Sequence, residues 1–210
     1  MQTQTHHVAL IVVDVQNGFT PGGNLAVAKA DQIIPIINQL AKKFEHIVLT
    51  QDWHPEQHIS FADNHPNKKP FETIELDYGR QVLWPKHCVQ GTRDAEFHPH
   101  LNIPTAQLII RKGCHQNIDS YSAFMEADRK TPTGLNGYLR EHQINTVYIV
   151  GIATDFCVAW TAIDAAELGF DTYVIEDACK AIDLNGSLQQ AWQDMSQKGV
   201  HRIEASSILL

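Results

Sequence analysis

Short apolar runs recur along the chain, separated by amphipathic stretches. They fall at residues 8–13, 47–50, 107–111, 146–150 and 172–175, with a weak last one near Ile203. Each is nearly continuous rather than alternating, the pattern of parallel strands covered on both faces. Between the first two, Ile33, Ile37, Leu40 and Phe44 form one helical stripe. Residues 134–142 predict a helix before the fourth strand. Residues 155–168 predict another, ended by Gly169, with Thr154 or Asp155 as its N-cap. A last helix starts near Ser187 and carries Leu188, Ala191, Trp192 and Met195 on one face. Repeated strand–helix alternation predicts an α/β sandwich on a mostly parallel sheet. The break in this rhythm is a polar segment at about 53–106, rich in His, Pro and Asn. Connections of that length are usually functional or disordered. Its aromatic and histidine content predicts an ordered insertion beside a site.

Composition narrows the classes. The chain has 210 residues, 43% hydrophobic and 19% charged, which fits one soluble globular domain spanning 1–210. Net charge is −8, with no run of five Lys/Arg, so a nucleic-acid or anionic-membrane surface is not expected. No apolar run approaches the ~18 residues of a membrane span. The first apolar run stops at Asp14 and no basic stretch precedes it, so a signal peptide is not expected either. Cys88, Cys114, Cys157 and Cys179 are far apart and form no C-x-x-C pair. Free thiols and a cytoplasmic setting follow as expectations. Twelve histidines against sixteen Lys plus Arg exceed what solubility requires, so some are expected to bind a ligand.

Ligands of open α/β sheets bind beyond the carboxyl ends of the strands. Asp14 ends the first run, Lys112 the third, and Cys157 follows the fourth within the first turn of its helix. A helix start and a lysine both favour thiolate, and a carboxylate could take the thiol proton. Alone, each residue has a plainer reading: a small core residue, a turn residue, a solvated lysine. In Asp52-Trp53-His54 an extended backbone puts carboxylate and imidazole on one face, where they could share an ion. His87 could add a third ligand, and His58 or Ser60 a further one; the set suits zinc, iron or manganese. D-x-H after a strand is nonetheless common without metal. His98 and His100 read as surface-loop residues. Gly151 and Ala153 leave room for backbone to approach a substrate, or merely pack a strand–turn–helix junction.

Taken together, residues 12–19 (Val-Val-Asp-Val-Gln-Asn-Gly-Phe), 21–27, 51–55 (Gln-Asp-Trp-His-Pro), 84–92 (Trp-Pro-Lys-His-Cys-Val-Gln-Gly-Thr), 111–113, 121–124 and 150–158 carry a resemblance. Over nearly its whole length the sequence resembles the nicotinamidase branch of the isochorismatase-like cysteine hydrolases. The resemblance implies a three-layer α/β/α sandwich with a six-stranded parallel sheet. It implies Asp14, Lys112 and Cys157 as catalytic triad, and the backbone N–H groups of Ala153 and Cys157 as oxyanion hole, with a cis peptide at Ile152–Ala153. Asp52, His54 and His87 would hold one divalent ion, zinc foremost, and Phe19, Leu25, Trp84 and Tyr121 would wall a pyridine pocket. The implied reaction is hydrolysis of nicotinamide, and also pyrazinamide, in NAD salvage. Its partner is that small molecule, with neither nucleic acid nor membrane, and self-association left open. Gly18 departs from the pattern, where Asp is usual, which puts the rigidity of its loop in question.

Overall fold

The computed structural model describes residues 7–210, so the first six positions of the expected single domain lie outside it. All six apolar runs become strands of one parallel sheet: β1 (Val8–Val13), β2 (His46–Asp52), β5 (Leu108–Lys112), β6 (Thr146–Ile152), β7 (Asp171–Lys180) and β8 (His201–Ile203). Their order across the sheet is β5-β2-β1-β6-β7-β8. The chain winds one way through β1, β2 and β5, then returns beside β1 and winds the other way through β6, β7 and β8. The winding therefore reverses between β1 and β6, and a crevice opens there at the carboxyl ends. The first, second, third and fourth runs deliver Asp14, Asp52, Lys112 and Cys157 to that edge.

The near-continuous apolar runs are explained by cover on both faces. Leu10 and Val12 of β1 pack with Ile33, Ile37 and Leu40, the stripe of α1 (Ile34–Leu40). Ile11 and Val13, pointing the other way, pack with Leu135 and Leu139 of α2 (Leu135–Glu141) and with Ala162 and Ala165 of α3 (Ala159–Glu167). Helix α4 (Ser187–Gln197) buries Ala191 and Met195, and a short α5 (Ser206–Leu209) ends the chain. Phe44 lies past the end of α1 and packs its ring on Tyr148, with centroids 5.2 Å apart.

Two local expectations need correction. The helix after β6 opens with a π-helical turn, Thr154–Val158, before continuing as α3, and no side chain caps it. Asp155 instead turns its carboxylate to the β7–α4 connection, accepting from the amides of Ile182 (3.0 Å) and Asp183 (2.7 Å) and from the Ser187 hydroxyl. Three donors from a distant loop outcompete one from the helix's own first turn. The 53–106 insertion is ordered and contains a hairpin, β3 (Thr73–Leu76) paired antiparallel with β4 (Gly79–Val82). All four cysteines are free thiols. Among the described residues no helix is long and apolar enough to cross a membrane.

Candidate active site

Asp14 follows β1 with a left-handed backbone (φ 48°) and is fully buried. Thr50 of β2 fixes it from both ends: its hydroxyl accepts from the Asp14 amide (3.1 Å) and donates to Asp14 Oδ1 (2.6 Å). Lys112, also fully buried, enters from β5, whose register sets it opposite Asp52. Its ammonium donates to Asp52 Oδ1, to the Ser120 carbonyl (3.0 Å) and to Cys157 Sγ (3.3 Å). Those three bonds use the three N–H groups of a lysine. Asp14 Oδ2 forms an ion pair with the same nitrogen at 2.8 Å. It feels the cation's field while keeping a lone pair for another proton.

The charges follow from burial set against this pairing. Burial works against the Lys112 ammonium, but Asp14 and Asp52 outweigh it and hold its pKa well above the usual lysine value. For Asp52, burial is likewise overcome, by Lys112 and His54, and its carboxyl sits well below the ordinary range. Burial dominates at Asp14 and Asp52 adds to it, so the Asp14 pKa is raised despite Lys112. Cys157 is pushed well above the ordinary thiol value by burial, against the pull of Lys112 and with help from both carboxylates. Lys112 pulls the sulfur toward thiolate, as a lysine there should, and desolvation in a corner holding two carboxylates pulls the other way.

Asp52, His54 and His87 also converge, with donor atoms all within 4.8 Å of one another. His54 Nδ1–H donates to the Gly113 carbonyl (2.9 Å) and His87 Nδ1–H to the Pro85 carbonyl (2.7 Å). A carbonyl can only accept, so each ring, when neutral, presents an Nε2 lone pair. Those atoms lie 3.5 and 3.7 Å from Asp52 Oδ2. Two donors each ~2.1 Å from a tetrahedral zinc ion stand ~3.4 Å apart, so this set fits a divalent metal. His58 lies close by, its ring centroid 4.2 Å from that of His54. Its ring nitrogens are already committed, Nδ1 accepting from Ser60 (2.7 Å) and Nε2–H donating to the Ile118 carbonyl (3.1 Å). Burial, then His54, push its pKa down to about 4, so the ring is neutral at physiological pH. With His54 and Asp119, His58 also forms a second group whose donor atoms lie within 4.8 Å of one another. His98 and His100 pair with each other in an outer loop.

Between the thiol and the histidines lies a narrow cleft. Phe19, Leu25, Trp84 and Tyr121 all line it, as expected, and Ala153 lies beside Cys157. Trp84 Nε1–H donates to Tyr121 Oη (3.0 Å). The sequence did not single out Phe156, Ile182 or Asp119, which complete the wall. Phe156 stands edge-on to Trp84, ring centroids 4.9 Å apart. The Ile152–Ala153 peptide is cis. Gly151 before it is obligatory: at φ 121°, a Cβ would lie 2.0 Å from the Val13 carbonyl oxygen of the neighbouring strand. Gly18 is less constrained, since a Cβ there would meet side-chain atoms first, Asp94 Oδ2 at 2.6 Å and Cys88 Sγ at 2.8 Å, and backbone only at 3.0 Å. Asp94 clamps this loop from outside, accepting from the amides of Cys88 (2.7 Å) and Asn24 (3.1 Å). The departure at Gly18 therefore does not loosen the loop.

The isochorismatase domain family matches residues 8–207. The chain belongs to the isochorismatase family. It is 73% identical over 207 residues to a nicotinamidase of Acinetobacter baylyi, covering 99% of this chain and 97% of the relative. Its fold matches a nicotinamidase/pyrazinamidase of Acinetobacter baumannii with a TM-score of 0.97 at 75% identity, covering 99% and 100%. A pyrazinamidase of Pyrococcus horikoshii, solved in complex with zinc, matches with a TM-score of 0.78 at 37% identity, covering 94% and 99%.

In this isochorismatase-family chain, Gly113 offers a local test of the metal site. It sits at φ 63°, and an added Cβ would lie 2.4 Å from His54 Cε1 and 2.6 Å from its Nδ1. Gly113→Ala must displace the His54 ring and its carbonyl bond, so metal affinity is expected to fall ~10–100-fold. Metal retained against a competing chelator measures this. Affinity equal to that of the parent protein would contradict the placement of His54.

Proposed function

We infer that this chain works as a nicotinamidase, hydrolysing nicotinamide to nicotinate and ammonia for NAD salvage, with pyrazinamide as a further substrate. The observation that carries the reading is the two-ended cleft. One end holds Cys157 Sγ, Lys112 Nζ and Asp14 in mutual contact, and the other holds two imidazole lone pairs facing the Asp52 carboxylate. An amide and a ring nitrogen of one small molecule need such a pair of sites.

In this reading the thiol proton of Cys157 moves to Asp14 Oδ2, whose raised pKa makes it a better base than an ordinary carboxylate. The Lys112 ammonium, fixed within 3.3 Å of sulfur, stabilises the thiolate as it forms. Sulfur attacks the amide carbon, and the backbone N–H groups of Ala153 and Cys157 serve the tetrahedral oxyanion. Asp14 then returns the proton to nitrogen as the C–N bond breaks, releasing ammonia and leaving a thioester on Cys157. Water loses a proton to Asp14 and adds to the thioester. The C–S bond breaks, Asp14 reprotonates the sulfur, and the nicotinic acid formed loses its proton to solvent as nicotinate. An ion held by Asp52, His54 and His87, for which we propose zinc, would supply a Lewis-acid site for a pyridine nitrogen lone pair. Phe19, Leu25, Trp84 and Tyr121 flank the ring. The reading places one domain over 1–210, with the 53–106 insertion bringing His87 to the ion, in a cytoplasmic setting suited to four free thiols.

The test is ammonia release from nicotinamide by the purified, zinc-loaded protein. Stoichiometric nicotinate and ammonia are expected. A folded, metal-loaded protein that leaves nicotinamide intact would overturn the reading.

A further inference from the structure

The turn that carries the nucleophile also holds a second element in place. Asp155, two residues before Cys157 and only 6% exposed, sends its carboxylate away from its own helix to the connection between β7 and α4. Oδ1 accepts from the Ile182 amide (3.0 Å), and Oδ2 from the Asp183 amide (2.7 Å) and the Ser187 hydroxyl. A carboxylate meets all three, whereas the side-chain amide of an asparagine would turn N–H groups toward at least one of these donors. The connection needs such a hold. Asp183 (φ 55°) and Asn185 (φ 54°) both stand in the left-handed region, which residues other than glycine keep only where their surroundings fix it. Asp183, Asn185 and Gly186 are exposed, so packing does not supply the fixing. Ile182, at the start of this connection, packs against the core on the α1 face and lines the cleft together with Phe156 and Cys157. The steps derived above give neither Asp155 nor Ile182 a task.

One carboxylate thus ties two parts of the cleft wall together. The nucleophile's own turn supplies Phe156 and Cys157, and the connection after β7 supplies Ile182. We propose, resting on the assignment of this cleft to nicotinamide, that Asp155 is a positioning residue that holds Ile182 in the cleft wall as an apolar contact for the substrate ring. Asp155 acts through Ile182 and does not itself touch the substrate. With the bonds to Asp155 gone, the two left-handed residues relax, Ile182 leaves the wall, and the ring loses apolar area covered on binding. Asp14, Lys112 and Cys157 keep their mutual contacts, because none of those contacts involves Asp155. The loss therefore falls on binding rather than on the bond-making steps.

The experiment is a double-mutant cycle read by calorimetry, with nicotinamide titrated into zinc-loaded Cys157→Ala protein, which cannot turn over. Ile182→Ala, Asp155→Asn and the two together are added to that background. Each single change is expected to raise the nicotinamide Kd on the order of tenfold, and the pair no more than either alone, because both remove one contact. An unchanged Kd in Asp155→Asn would overturn the proposal. So would a loss of about a hundredfold in the pair, since effects that multiply place the role of Asp155 outside Ile182. With Cys157 intact, Asp155→Asn should raise KM and leave kcat nearly unchanged; a fall in kcat alone would overturn the proposal as well. Ser187→Ala removes one donor and leaves the nucleophile turn as it is. It should raise Kd a few-fold, and not at all on the Ile182→Ala background. If Asp155→Asn does not fold, this second cycle decides, and a Kd unmoved by Ser187→Ala counts against the proposal. Failure of the parent protein, with Asp155 and Ile182 intact, to release ammonia from nicotinamide would bring down the assignment of the cleft instead.

Discussion

Cys157→Ala is expected to lower nicotinamide turnover by at least ~10⁴-fold, because no other residue in the cleft can form the covalent intermediate. Cys157 is the one thiol within reach of both Lys112 and Asp14 in this corner. Cys179 is buried in the core on the α3 face of the sheet, and Cys114 lies exposed beyond Gly113. Cys114→Ala and Cys179→Ala should therefore keep most of the activity. The Cys157→Ala protein should still bind zinc and nicotinamide, since the substitution removes none of Asp52, His54, His87 and the residues flanking the ring. Single-turnover assays on equal amounts of metal-loaded protein give the comparison. Activity retained in Cys157→Ala would remove the nucleophile from the scheme.

The second large effect concerns the metal. Asp14, Lys112 and Cys157 form a complete nucleophile set, so an ion that activated the attacking group would be redundant during acylation. Three protein ligands leave positions open for a neutral nitrogen donor. Orientation of the ring would then be the ion's main contribution in the proposed mechanism. Nicotinamide should be preferred over benzamide, which carries the same amide on a ring without nitrogen, by on the order of a hundredfold in kcat/KM. Chelation of the metal, or His54→Ala, should erase most of that preference along with most of the activity. The measurement is the nicotinamide-to-benzamide ratio with and without metal. Benzamide hydrolysed as well as nicotinamide by the loaded protein would contradict an orienting role.

The strands were legible because both faces of the sheet are covered, which forces continuous apolar runs such as residues 8–13 and 146–150. The site edge was legible for a related reason: Asp14, Asp52 and Lys112 interrupt or end those runs where a buried strand has no other use for charge. What escaped depends on partners distant in sequence. Asp155 has the type and position of an N-cap, and only the fold brings Ile182, Asp183 and Ser187 to its carboxylate. Asp119 and Gln81 were not singled out among their polar neighbours, and their mutual bond spans 38 positions. Pocket residues Phe156 and Ile182 looked like ordinary apolar residues. The pull of Lys112 on Cys157 was legible in the sequence, and the degree of burial that opposes it was not. His58 has the right type and neighbourhood for a ligand, and only the structure reveals that its ring nitrogens are taken.

The thioester is the most direct test of the account. The zinc-loaded protein is mixed with excess nicotinamide, quenched in acid within milliseconds, digested and analysed by mass spectrometry. A nicotinoyl adduct on the peptide carrying Cys157, absent from Cys157→Ala and lost on longer incubation as substrate is exhausted, is the predicted result. Under conditions where ammonia release shows an initial burst, so that the adduct must accumulate, its absence from Cys157 or its presence on another residue would contradict the account.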